Sequence, residues 1–124
     1  MRRTLALTLI VLGLAACRTM PPAPIVDDYR AIGTEPFWDL TFGTELVFTD
    51  RGNGVAVTER PPARFVAARG AVYRGRRIEV IITAGPCSDG MSDRVYPETV
   101  RLMVDGQPYR GCGAGGDFFR RSAP

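Results

Sequence analysis

The chain has 124 residues and a formal net charge of +3, a size suited to one domain and a weak positive balance. Its basic residues are all arginines, and they are spread along the chain rather than gathered in a block, so nucleic-acid binding is not expected. Because the sequence contains no histidine, it lacks the usual general base for a nucleophile and a common zinc ligand.

The first 16 residues have the composition of a secretory signal. Two arginines open the segment, residues 5–16 form an apolar stretch whose one polar side chain is Thr8, and small residues close it. The stretch is shorter than the roughly 20 apolar residues that a spanning helix needs. We therefore expect residues 1–16 to be removed as a signal peptide.

The residues that close this segment, Leu14-Ala15-Ala16-Cys17, resemble the lipobox of bacterial lipoproteins. The resemblance implies diacylation of the Cys17 thiol, cleavage before it and acylation of the new amine. Several acyl chains would anchor the protein to a membrane leaflet without a transmembrane helix. Because Arg18 stands where an Asp would favour inner-membrane retention, the resemblance favours the outer membrane, with the domain facing the periplasm. An ordinary secreted protein with a stray cysteine is the alternative.

Residues 17–28 are predicted to be the lipidated cysteine and a tether. Three prolines between positions 21 and 24 favour extended polyproline geometry. From residue 29 to residue 124 the pattern changes to that of a β domain.

Short alternating runs separated by turn residues follow along this domain. Glycine and proline interrupt the chain throughout, and no stretch shows helical periodicity over about 10–12 residues. We predict an all-β fold, a single antiparallel meander of about eight strands closed into a small barrel, with a two-layer sandwich as the alternative. The predicted strands are 37–42, 44–49, 55–58, 64–68, 72–74, 77–83, 99–104 and 107–112.

The pair Asp105-Gly106 is a strong hairpin signal between the last two strands. A two-residue turn there would place Val104 opposite Gln107. Arg101 and Arg110 would then face each other directly. Because like charges repel across a sheet, this face should be wet or supplied with acids.

Cysteine counting predicts one disulfide. With Cys17 acylated, Cys87 and Cys112 remain as a pair in an oxidising compartment. A zinc site would require more Cys or His ligands, and a catalytic cysteine would require a histidine partner. We therefore expect a bridge between Cys87 and Cys112.

Two segments stand out from the strand pattern. Residues 33–38 read Gly-Thr-Glu-Pro-Phe-Trp, and residues 87–97 read Cys-Ser-Asp-Gly-Met-Ser-Asp-Arg-Val-Tyr-Pro, with a closing Gly111-Cys112. Together they resemble an uncharacterised family of small bacterial lipoproteins and periplasmic proteins over roughly residues 30 to 115. Gly113 departs from that pattern, which usually has Ala. The resemblance implies a compartment and a β fold, and it carries over no catalytic residues.

The second segment contains most of the candidate binding residues, namely Asp89, Ser92, Asp93, Arg94 and Tyr96. Short polar side chains of this kind bond nearby backbone amides. One interpretation is a stapled loop whose polar groups satisfy one another. The other is a ligand or partner site displayed on that loop.

Trp38 is a further candidate binding residue. A lone tryptophan in an alternating strand is typical of a core position, and an exposed platform that stacks on a sugar is the sharper alternative.

We predict a non-catalytic binding or envelope-maintenance module that needs no cofactor or metal. Its expected partners are membrane lipid, through the acylated Cys17, and an envelope protein or glycan. One alternative is an inhibitor of lysozyme-type hydrolases, since membrane-bound inhibitors of that kind are also small lipidated β-barrels with a disulfide. A small hydrolase that uses Asp89 and Asp93 is the other.

Overall fold

A computed structural model describes residues 28–60 and 70–121. The predicted signal, Cys17, the tether up to residue 27 and the strand predicted at 64–68 lie outside these residues. The described elements are β1 (Tyr29–Thr34), β2 (Phe37–Phe42), β3 (Leu46–Asp50), β4 (Val55–Glu59), β5 (Val72–Arg74), β6 (Ile78–Ser88), β7 (Val95–Val104), β8 (Gln107–Gly115) and α1 (Gly116–Arg121).

The all-β prediction is confirmed: the eight strands form one antiparallel sheet that curls into a half-barrel. Their order across the sheet is β4-β3-β2-β1-β8-β7-β6-β5. The sheet thus consists of two four-strand meanders, and the pairing of β1 with β8 joins them. A single curled sheet replaces the two-layer sandwich that was the alternative.

The two outer strands of the sheet, β4 and β5, are connected by a carboxylate rather than by a backbone ladder within the described residues. Glu59 on β4 accepts hydrogen bonds from the Arg77 backbone N–H at 2.5 Å and from the Tyr73 hydroxyl at 3.4 Å. Burial and the Glu59 charge raise the pKa of Tyr73. These bonds bring the edges together and narrow the open side of the half-barrel.

The main core fills the concave side of the sheet. In β2, Trp38, Leu40 and Phe42 are buried on one face, as the alternation predicts. Full burial of one such side chain contributes about 1.5–3 kcal/mol. The strand interiors supply the rest of this core, including Leu46, Phe48, Val57, Ile78, Val80, Ile82, Val100, Leu102 and Val104.

A second, smaller apolar cluster lies on the opposite face of β1 and β8, around Cys112 and Ala114. Helix α1 covers it, and the rings of Phe118 and Phe119 lie 5.1 and 6.0 Å from the ring of Tyr96. The sequence did not predict this helix, because six residues are too few to show a helical period.

The hairpin between β7 and β8 has the predicted register, with Val104 opposite Gln107. Asp105 and Gly106 have φ values of 49° and 81°, the positive pair that a type I′ turn requires. Arg101 and Arg110 face each other and are both exposed, so this face is wet.

Candidate functional site

The β6–β7 hairpin ends in a tip, residues 85–97, that folds back over the sheet towards β8 and β1. The pairing register shifts between Ala84 and Cys87, which marks a bulge in β6. Gly85 has a φ of 143°, a conformation that residues with side chains rarely adopt. Bulge and glycine together turn the tip back over the sheet.

Two contacts fix the tip there. Cys87 forms the predicted disulfide with Cys112 on β8, so the bond passes over β7, which lies between the two strands. The Thr34 hydroxyl on β1 donates a hydrogen bond of 2.9 Å to the backbone carbonyl of Asp89. The tip is therefore attached to two strands beyond its own hairpin.

Asp89 organises the interior of the tip. Its carboxylate accepts hydrogen bonds from the backbone N–H groups of Met91 and Ser92, at 2.9 and 2.8 Å, and from the Ser92 hydroxyl at 2.7 Å. These bonds, led by that from the Ser92 backbone, lower the pKa of Asp89 to about 2. Asp89 and Ser92 satisfy each other, as the stapled-loop interpretation predicts.

Tyr96 belongs to the same network and is 2% exposed. Its hydroxyl donates to the Asp89 carboxylate at 3.3 Å. Burial and then the Asp89 charge raise the pKa of Tyr96, while Arg94 acts in the opposite direction. Of the tip residues selected from the sequence, Asp93 and Arg94 are exposed, whereas Tyr96 is enclosed.

Trp38 lies in the main core at 2% exposure. Its ring packs against Phe48 and Tyr109 at centroid distances of 6.1 and 6.2 Å. An enclosed ring offers no face for a sugar, so Trp38 is a packing residue and not a platform.

A groove of about 870 Å³ lies beside the tip. Both sequence motifs line it, through residues 32–35 with Phe37 and through residues 86–91, and residues 110–112 and Thr99 complete the lining. Segments about 50 residues apart in the chain therefore meet at one place. This groove is the candidate functional site.

The accessible side chains of the groove differ from those selected on sequence grounds. Phe37 is 52% exposed and Met91 is 70% exposed, and Glu35 and Arg110 are exposed as well. The alternation of β2 already places Phe37 on the face opposite Trp38. The positions of Met91 and Arg110 in the groove depend on where the tip lands, which no local pattern indicates.

The Asp89 carboxylate of the groove has a pKa far from that of a typical general base. A general base works best with a pKa near the working pH, and Asp89 is held far below that. Within residues 28–60 and 70–121 no three His, Cys, Asp or Glu side chains are grouped to hold a metal ion. Nor does any helix in these ranges have the length and apolar character to cross a membrane.

Comparison of the chain with protein-family models, with curated proteins and with solved structures gives no match.

Replacing Asp89 by Asn is expected to lower stability by about 1 kcal/mol at pH 7, because the charged acceptor of the tip is lost. The folded-state pKa of Asp89 is depressed, so its stabilising effect is present above the unfolded value of about 4 and is lost as pH falls towards 2. The melting temperatures of wild type and variant, measured from pH 7 to pH 2, should therefore converge at the acid end. The exposed Asp93, changed to Asn, is the matched control. A constant gap between wild type and Asp89→Asn down to pH 2 would contradict the role given to this carboxylate.

Proposed function

We propose that this protein is a lipid-anchored, non-catalytic binding module of the cell envelope, and that its partner contacts the groove beside the hairpin tip. The observation that carries the proposal is that the two motifs line one groove, where apolar side chains are exposed on a rigid support.

Rigidity favours a binding role. The disulfide, the bond from Thr34 and the Asp89 network fix the tip before any ligand arrives. A surface held in its binding conformation loses less conformational entropy when it binds. The scaffold therefore supports recognition without an induced change in the backbone.

Exposure points to the same groove. Exposed apolar side chains that lie together and are rimmed by polar groups are typical of interaction sites, and Phe37 and Met91 line the same groove. Phe37 offers a rigid aromatic face, and Met91 offers a flexible, polarisable side chain that adapts to a partner.

The anchor is tested separately from the groove. Cys17→Ser should abolish incorporation of labelled palmitate and leave the unprocessed precursor, because the acylated thiol is lost. Labelling of this variant equal to that of wild type would refute the lipid anchor.

The groove is tested by capture from envelope extracts with the lipidated protein as bait, followed by a quantitative comparison of the captured proteins and glycans. Phe37→Ser and Met91→Ser remove exposed apolar area, so each should reduce capture of a specific partner by about tenfold with little change in melting temperature. Val95→Ser is the matched control, since Val95 lies on the same tip, is 63% exposed and does not line the groove.

Equal loss of capture in the Val95→Ser control and in the groove variants would reject the groove as the binding surface. An assay for inhibition of lysozyme by the full chain tests the alternative stated from the sequence. Inhibition that is lost in the groove variants would identify a lysozyme-type hydrolase as the partner.

A further inference from the structure

Two arginines lie side by side on the outer face of the sheet. Arg101 on β7 and Arg110 on β8 are direct cross-strand partners, and both are exposed. Side chains in such pairs have Cβ atoms about 4.5–5.5 Å apart, so two positive charges are held close together. Arg110 also lines the groove.

Neither charge is paired with an acid in the part of the chain that the structure describes. Neither arginine forms a salt bridge or a side-chain hydrogen bond with residues 28–60 or 70–121. The residue opposite Arg101 on β6 is Ile81, and the nearby Glu79 is in a salt bridge with Arg74 at 3.3 Å. The face is wet, which meets the sequence expectation of a face that is either wet or supplied with acids.

We propose that Arg101 and Arg110 form a binding site for the phosphomonoester dianion of a ligand whose apolar part lies in the groove. This inference rests on the proposed function and adds the chemistry of the ligand to it. The observation behind it is a cross-strand pair of guanidinium groups without a salt bridge in the described residues, one of them at a groove that Phe37 and Met91 also line.

The charge of the site selects the dianion. Each guanidinium is a planar fork that donates two parallel hydrogen bonds to an oxyanion. A phosphate monoester carries close to two negative charges at pH 7 and has three acceptor oxygens, so it can engage both forks and neutralise both charges. A carboxylate would leave one charge uncompensated. The Thr99 hydroxyl, two residues before Arg101 on the same face of β7, is a further donor that lines the groove.

Titrations with simple phosphates and sulfates test the site. The full chain, ¹⁵N-labelled and held in detergent, is titrated with phenyl phosphate, phenyl sulfate and inorganic phosphate while the arginine Nε–H signals are followed by NMR. Phenyl phosphate should shift the Arg101 and Arg110 signals and bind about tenfold more tightly than the singly charged phenyl sulfate. Binding of phenyl phosphate tighter than that of inorganic phosphate would identify an organic phosphate as the ligand. Equal binding of the two would identify free phosphate.

Variants complete the test. Arg101→Gln and Arg110→Gln should each weaken phenyl phosphate binding by about tenfold. Both should melt at or above the wild-type temperature, since each removes a like-charge contact. Arg74→Gln, an exposed arginine that already has an acidic partner, is the matched control and should bind as wild type does.

Equal affinity for phenyl phosphate and phenyl sulfate, or binding unchanged in both glutamine variants, would overturn the phosphate site. That outcome leaves the groove proposal standing, because loss of partner capture in Phe37→Ser and Met91→Ser is measured without phosphate.

Discussion

Replacing Cys87 or Cys112 by serine is expected to lower the free energy of unfolding by about 3.5 kcal/mol. The bond closes a loop with a sequence separation of 25, and the loop-entropy relation gives that value. Such a loss is a large share of the roughly 5–15 kcal/mol available to a small domain. The hairpin tip would also lose its attachment to β8, so the groove should loosen together with the fold.

Denaturant unfolding of each variant against wild type measures this loss. Intact mass under non-reducing conditions, with alkylation of the native protein, should find neither cysteine free in the wild-type chain. The double serine variant should be no less stable than either single variant, since all three lack the same bond. Two alkylatable thiols at these positions in native protein would contradict the disulfide.

Replacing Gly111 by Ala is expected to lower the free energy of unfolding by about 3 kcal/mol, which is at the upper end for overpacking. A Cβ at Gly111 would overlap the backbone carbonyl oxygen of Ile32 in β1 and lie 2.7 Å from Cζ2 of Trp38. A carbonyl that belongs to a paired strand cannot rotate away, so β8 would have to move from β1. The substitution therefore weakens the β1–β8 pairing, which joins the two meanders.

Gly115→Ala is the control for this experiment, because it lies on the same strand and an added Cβ there meets no atom within 4 Å. It should unfold close to wild type, whereas Gly111→Ala should have a lower midpoint in thermal and denaturant unfolding. Equal stability of the two variants would show that β1 and β8 do not approach as closely as described.

The sequence predicts those parts of the fold that depend on neighbours in the chain. The alternation of Trp38, Leu40 and Phe42 sets the buried face of β2, and Asp105-Gly106 sets the register of the last hairpin. Each of these signals lies within a few residues, where steric rules and burial decide the outcome. Cysteine counting similarly gives the disulfide, because two partners leave a single pairing.

Features that depend on distant segments could not be predicted in this way. The pairing of β1 with β8 joins residues 80 to 86 positions apart, and the folded-back tip meets Thr34 across 55 positions. The candidate site follows from these contacts: Met91 and Arg110 border one groove only because the tip crosses β7. Some of the polar loop residues selected from the sequence hold the tip together instead of facing a ligand. Asp89 is an example, because its carboxylate oxygens accept hydrogen bonds from within the loop.

The pairing of β1 with β8 also has a kinetic consequence. Each meander is built from contacts that are local in sequence, so each can begin to form alone, whereas joining them requires closure of nearly the whole domain. Until that step, β1 and β8 each present an unpaired edge with exposed backbone donors and acceptors, which is a template for intermolecular pairing. We expect the extent of aggregation during refolding to depend on the rate of this closure. Substitutions in the β1–β8 pairing should therefore increase aggregation more than equally destabilising substitutions within either meander.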